Sequence, residues 1–344
     1  MSLPINPPFF PMEALLVDEI PAGSGWQYEP KWDGFRCLVF RDGARIELLS
    51  KAGKPLGRYF PELVAAIGHL RQTRFVVDGE IVIPLRGRLS FDDLLLRIHP
   101  SPSRIRKLSQ QAPAALILFD MLLDKQRSLV NEPLKVRRQH LERFVAHFSR
   151  TRRDSAPIRL SPATRDRRRA ERWFRAVGNG MDGIVAKRLE ESYRPGERAM
   201  LKVKRMRTAD CVVGGFRYAT HGKIVGSLLL GLYDDEGLLD HVGFTSNMSA
   251  RDRERLTPKV EALVKPPGFT GRAPGGPSRW STKRSTEWQP LTPELVVEVQ
   301  FDHFSGGRFR HGTTFLRWRP DKAPRQCTFE QLAGSGRNMW KMLA

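Results

Sequence analysis

Tyr28-Glu29-Pro30-Lys31-Trp32-Asp33-Gly34-Phe35-Arg36 is the stretch on which the reading of this 344-residue chain turns. A lysine stands two places before an aspartate, and the glycine that follows leads into Cys37–Phe40, an apolar run of strand-forming residues. By itself, a lysine beside Asp-Gly reads as a solvated turn. Its surroundings weigh against that. Ser50-Lys51-Ala52-Gly53 follows the strand-like run Arg45–Leu49. Asp78-Gly79-Glu80 interrupts the apolar run Phe75–Ile83, where a mid-strand carboxylate needs a partner. Phe119-Asp120 closes the run Ala115–Phe119, and Phe119 out of this context would be core. Asp182-Gly183-Ile184-Val185-Ala186-Lys187 carries a further strand at Gly183–Ala186. In Lys202-Val203-Lys204 the alternation puts both amines on one face of a strand. Arg319-Pro320-Asp321-Lys322 reads as a polar turn.

Composition narrows the function class. Lys and Arg number 58 against 37 Asp and Glu, a net charge of +21, which calls for a polyanionic partner. With 40% hydrophobic residues, the chain can build packed cores. No apolar run approaches the length of a membrane span, and MSLPINPPFFPM does not read as a secretory signal. Cys37, Cys211 and Cys327 are too few and too scattered for a disulfide framework or a four-cysteine zinc site, so an intracellular, reducing setting is expected. The eight histidines show no metal-ligand spacing. Leu134–Arg175 holds 14 Lys/Arg against 4 Asp/Glu. Such a block is either a solvated face or a phosphate-backbone surface, and the whole-chain charge favours the second.

The texture changes near Thr208. Before it, strand-like runs mix with helical spacing. In Leu134–Phe148, Leu134, Leu141, Val145 and Phe148 share one face with basic residues opposite, and Arg167–Val177 reads as a basic helix ended by Gly178. After it come the short strands Cys211–Phe216, Ser227–Tyr233, Leu238–Phe244, Leu295–Phe301 and Thr314–Trp318, with a helix at Ala250–Val264. That pattern predicts a five-stranded barrel with an inserted helix. The expected domains are 1–205 and 206–344, with a hinge near Arg205–Thr208.

The ordered set of motifs resembles the covalent nucleotidyltransferase superfamily of ATP-dependent DNA ligases, RNA ligases and capping enzymes. The two-domain layout looks most like the small bacterial ligases of the LigC type. The resemblance runs from about Tyr28 to Gln331. It implies an α+β fold: a nucleotidyltransferase (ATP-grasp-like ligase) domain followed by an OB-fold β-barrel. It implies a lysyl-AMP carried by Lys31 and the sealing of nicks with 3′-OH and 5′-phosphate ends in double-stranded DNA. It further implies that Glu29 and Lys187 lie against the nucleotide, that Arg36 and Lys51 hold ribose and phosphate, and that Glu80 accepts from ribose hydroxyls. Phe119 would stack on adenine, and Lys202 and Lys204 would hold the α-phosphate. Asp33 and Asp182 would face Mg²⁺ or Mn²⁺. Asp321 and Lys322 would orient pyrophosphate in the first step only, with the barrel then swinging to clamp DNA.

Three positions depart from the family pattern. Asp182 stands where Glu is usual, Lys51 where Arg is common, and Met200-Leu201 where a Trp often precedes the lysine pair. Elementary chemistry adds an expectation of its own: Lys202 and Lys204 should lower the pKa of Lys31 and free its amine for attack. A DNA-associated, cytoplasmic bacterial monomer acting in repair is expected, with DNA gripped by Leu134–Arg175 and Asn247–Arg255. An RNA ligase or a GTP-using capping enzyme shares the Lys-x-Asp-Gly core. A non-enzymatic DNA-binding protein would explain the charge but not Lys31, Glu80 or the paired lysines.

Overall fold

The computed structural model describes residues 2–85, 87–147, 157–176, 181–220, 222–275 and 287–332. Contacts divide the chain into two compact units, one taking in the described residues up to Arg205 and the other those from Met206.

Two sheets build the first unit. One has four strands in the order Glu13–Leu16, Arg198–Lys204, Met181–Arg188, Trp26–Trp32. The other runs Ile158–Leu160, Ala115–Asp124, Arg74–Val82, Phe35–Asp42, Arg45–Ser50. Asp33 and Gly34 are all that separates the last strand of the first sheet from Phe35–Asp42, an interior strand of the second. The stretch read as a turn is thus the joint between two sheets.

Strand alternation gives the four-stranded sheet a polar and an apolar side, whereas the second sheet is buried on both, Leu38, Phe40 and Val76 lying in a different cluster from Val39 and Val77. In the four-stranded sheet, Tyr28, Trp32, Ile184, Ala186 and Val203 are buried in one cluster with Ala170 and Trp173 of the helix Arg167–Arg175. Burying each large side chain of this kind contributes about 1.5–3 kcal/mol. Asp166 caps that helix, its carboxylate accepting the Arg168 N–H at 2.9 Å. Behind the other sheet, Val39, Val77, Ile81 and Leu118 pack on Leu63 and Ile67 of the helix Pro61–Gly68 and on Leu141 and Val145 of the helix Leu134–Ala146.

The second unit is an antiparallel sheet in the order Leu239–Thr245, Val225–Tyr233, Arg207–Tyr218, Val296–Phe301, Thr314–Trp318, with the helix Ala250–Glu261 packed on its core. All five expected strands are present: Thr314–Trp318 has the expected bounds, Val296–Phe301 and Leu239–Thr245 differ by one residue, and Arg207–Tyr218 and Val225–Tyr233 are longer. The barrel expectation is met only in part. The ladder is open, its two edges meeting through the isolated Thr245–Thr313 bridge, and no closed barrel is present among the described residues.

Other expectations change. The strand Glu13–Leu16 is too short to show alternation, Trp26–Trp32 alternates apolar with polar residues but carries Pro30, which weighs against a strand, and the helices Pro61–Gly68, Phe91–Leu96 and Pro102–Gln111 are too short for a periodic signal. Helix Leu134–Ala146 does not turn all its basic residues outward. Arg137 and Arg138 are buried, Arg137 paired with Asp120 and Arg138 with Glu142. These two arginines leave the proposed phosphate surface because each already answers a carboxylate. Phe148, Val177 and Gly178 lie outside the described residues. All three cysteines are free and buried.

Candidate active site

Register explains how one face gathers the charges. Lys31 stands opposite Gly183, which stands opposite Lys204; Glu29 stands opposite Val185, which stands opposite Lys202; and Gln27 stands opposite Lys187. Residues directly opposite on neighbouring strands, and those two apart on one strand, share a face. Glu29, Lys31, Val185, Lys187, Met200 and Lys202 therefore line one cavity of about 240 Å³, which Arg36, Glu80 and Phe119 complete from the second sheet.

Two β-bulges re-aim side chains, one at the cavity and one at the Lys31 amine. Met181 pairs with Trp32 and Gly183 with Lys31, so Asp182 is the extra residue. Its Oδ2 accepts from Lys31 Nζ at 2.7 Å. Asp78 pairs with Asp120 and Gly79 with Leu118, so Phe119 is the extra residue of the other. A bulge bends its strand and frees one side chain from strict alternation, which is why such residues recur beside functional sites. The glycines of the motifs serve close packing. A Cβ at Gly34 would strike the Ile81 carbonyl, and one at Gly183 the Val203 carbonyl.

Most of the charges are already paired. Lys187 Nζ lies 3.0 Å from Glu29 Oε1, which also accepts from Gln27 Nε2 at 2.7 Å. Arg36 binds buried Asp78 with Nε and Nη2, both at 2.6 Å, and donates to the Met12 carbonyl at 3.1 Å. The Phe119 ring has Arg36 Cζ 4.6 Å and Lys187 Nζ 4.7 Å from its centroid. Beneath it Arg137 grips Asp120, and Tyr193 donates to Asp78 Oδ2 at 2.7 Å. Lys51 at the cavity wall pairs with Glu13 at 2.9 Å.

These contacts overturn the expected pKa order. Burial lowers the pKa of Lys31, but Asp182, supported by Glu80 and Asp33, outweighs it and holds Lys31 above the usual lysine value. It is Lys202 whose pKa is lowered, by burial first and then by Lys31 and Lys204. Burial lifts the Glu80 carboxyl to about 8, against the opposing pull of Arg36 and Lys31.

Carboxylate oxygens of Asp33 and Asp182 lie within 4.8 Å of one another. Hard oxygen donors at that spacing fit a Mg²⁺ or Mn²⁺ ion. Lys204 shares the row of Lys31 and Gly183 without lining the cavity. Asp321 and Lys322 belong to the second unit, where Arg319 holds the Asp321 carboxyl down at about 2. Sequence reasoning missed Met12, Glu13, Ala14 and Val185 in the cavity wall, and Tyr193 and Arg137 beneath it. No residue-type signal marks a four-residue edge strand, and an arginine in a basic helix reads as surface.

Comparison with known proteins agrees with this geometry. Residues 12–204 match the family model of the ATP dependent DNA ligase domain, and residues 221–322 that of the ATP dependent DNA ligase C terminal region. DNA ligase C2 of Mycolicibacterium smegmatis is 45% identical, and DNA ligase C of Mycobacterium tuberculosis 42%, each alignment covering 96% of both chains. A solved Lig E DNA ligase structure shares the fold at a TM-score of 0.54 and 16% identity, over 90% of this chain and 99% of that one. With both units covered in order by these family models, the chain belongs to the family of ATP-dependent DNA ligases.

Proposed function

We propose that the chain seals nicks with 3′-OH and 5′-phosphate ends in double-stranded DNA, carrying AMP on Lys31. The observation behind this reading is the shared face that turns Glu29, Lys31, Lys187 and Lys202 into one cavity with Arg36, Glu80 and Phe119.

Lys31 must first lose to water the proton that its contact with Asp182, 2.7 Å away, holds on the amine. The amine then attacks the α-phosphorus of ATP. The N–P bond forms as the bond to pyrophosphate breaks. Lys202 and Lys204 counter the charge that grows on the α-phosphate. Phe119 stacks on adenine, Glu29 and Lys187 flank the base, and Glu80 accepts from ribose hydroxyls. Arg36 and Lys51 hold ribose and phosphate, Arg36 being braced in advance by Asp78. Asp33 and Asp182 would hold Mg²⁺ or Mn²⁺, which when bound neutralises phosphate oxygens. Asp321 and Lys322 orient pyrophosphate in this step alone. AMP next passes to the 5′-phosphate and leaves when the 3′-OH attacks.

In this reading the first unit is the adenylation domain and the second an OB-fold barrel that grips DNA. The setting is DNA repair in the bacterial cytoplasm, with the protein acting as a monomer. No helix among the described residues is long and apolar enough to cross a membrane.

Incubation with α-labelled ATP and metal tests the proposal, after pyrophosphate has stripped any adenylate already present. Wild-type protein should take a covalent label that Lys31→Ala does not. An unlabelled wild type would overturn it. Label from GTP in place of ATP, or sealing of RNA but not DNA strands, would move the assignment to a capping enzyme or an RNA ligase.

A further inference from the structure

The second unit holds a compact group of charges away from its apolar core. Asp210 lies on the strand Arg207–Tyr218 and is nearly buried. Its Oδ1 accepts from Arg319 Nη1 at 2.8 Å and its Oδ2 from Lys322 Nζ at 2.7 Å. Arg319 in turn binds Asp321 through Nε at 2.9 Å and Nη2 at 2.8 Å. The backbone beneath is clamped as well. The Asp210 N–H donates to Gln331 Oε1 at 2.8 Å, and Gln331 Nε2 donates to the Asp210 carbonyl at 2.9 Å. The Arg319 N–H donates to the Val296 carbonyl at 2.8 Å.

The polar turn is therefore suspended from one carboxylate on a rigid strand. A lysine has four rotatable side-chain bonds, and holding it in one place costs about 2 kcal/mol of conformational entropy. Asp210 meets part of that cost before any substrate arrives. Its negative charge also offsets the repulsion between the two cations it holds together. Neither Asp210 oxygen points to a role with a reacting atom, since both are taken up by Arg319 and Lys322.

We propose that Asp210 is a positioning residue for adenylyl transfer: it sets where the Lys322 amine sits and, through Arg319, how the Asp321 carboxylate is turned. The inference rests on the reading that Asp321 and Lys322 serve the first chemical step only. Asp210→Asn keeps the shape of the side chain but removes the charge that both cations share.

Two reactions are to be compared in this variant: label transfer from ATP to the protein, and sealing of a nick that already bears 5′-AMP. The maximal rate of label transfer should fall at least tenfold, with a smaller change in KM for ATP. Sealing of the adenylated nick should stay within twofold of wild type. Asp210→Glu keeps the charge and should fall between the two; it serves as the test should the Asn variant not fold. Label transfer at the wild-type rate, or a parallel fall in both reactions, would overturn the proposal, the second result marking Asp210 as purely structural. Failure of the underlying reading looks different: Lys322→Ala in the same two assays would then spare label transfer or slow both reactions alike.

Discussion

Glu80 shows how a single residue at the site exchanges stability for function. Its carboxyl sits opposite Arg36 on the neighbouring strand, yet burial still lifts its pKa from 4.5 to about 8. A group with a raised pKa binds its proton more tightly when folded. Its stabilising contribution is thus complete below about 4.5, declines as pH rises, and is lost by about 8. Glu80→Gln should leave the melting temperature nearly unchanged at the acid end of that window. Near pH 8 it should stabilise the protein, on the order of a few kcal/mol. Thermal melts across the window check this, and an offset constant with pH would refute it. Lys31 shows the opposite balance. Asp182 keeps it charged against the pull of burial, so proton removal is a distinct part of the chemistry rather than a condition met in advance.

At the scale of elements, the joint between the sheets is the sensitive point. A Cβ on Gly34 would press on the Ile81 backbone and on Glu80 Cγ, so Gly34→Ala must push the two sheets apart. Overpacking of this kind costs about 1–3 kcal/mol. Urea denaturation should show that loss, and label transfer should fall further than the unfolded fraction accounts for, because the joint sets Lys31 against Arg36. Gly57→Ala is the control. Its new Cβ would meet Val64 at 3.5 Å, an ordinary contact, and stability should change by less than about 0.5 kcal/mol. The alternating lysines at 202 and 204 were legible because a strand repeats every two residues. The bulges at Phe119 and Asp182 were not, since a bulge exists only relative to its partner strand.

Across the whole molecule, the charge of +21 sets how the protein meets DNA. Part of the basic block is spent internally, on Asp120 and Glu142, but the helix Arg167–Arg175 leaves Arg167, Arg168 and Arg169 exposed on the outer side of the lysine-bearing sheet. Replacing these three with Gln should weaken binding to nicked duplex. It should also flatten the dependence of log affinity on log salt by about 0.9 for each phosphate no longer neutralised. Fluorescence anisotropy over a salt series measures both, and unchanged affinity would remove this helix from the DNA surface. The amino-acid sequence by itself determined which side chains are available and, through strand alternation, that Lys202 and Lys204 share a face. The tertiary structure alone decided which charges cancel. Lys31 finds Asp182 151 residues away, and Lys322 finds Asp210 112 residues away. Periodicity fixes the direction of a side chain within its own strand; the charge it meets depends on which distant strand lies beside it.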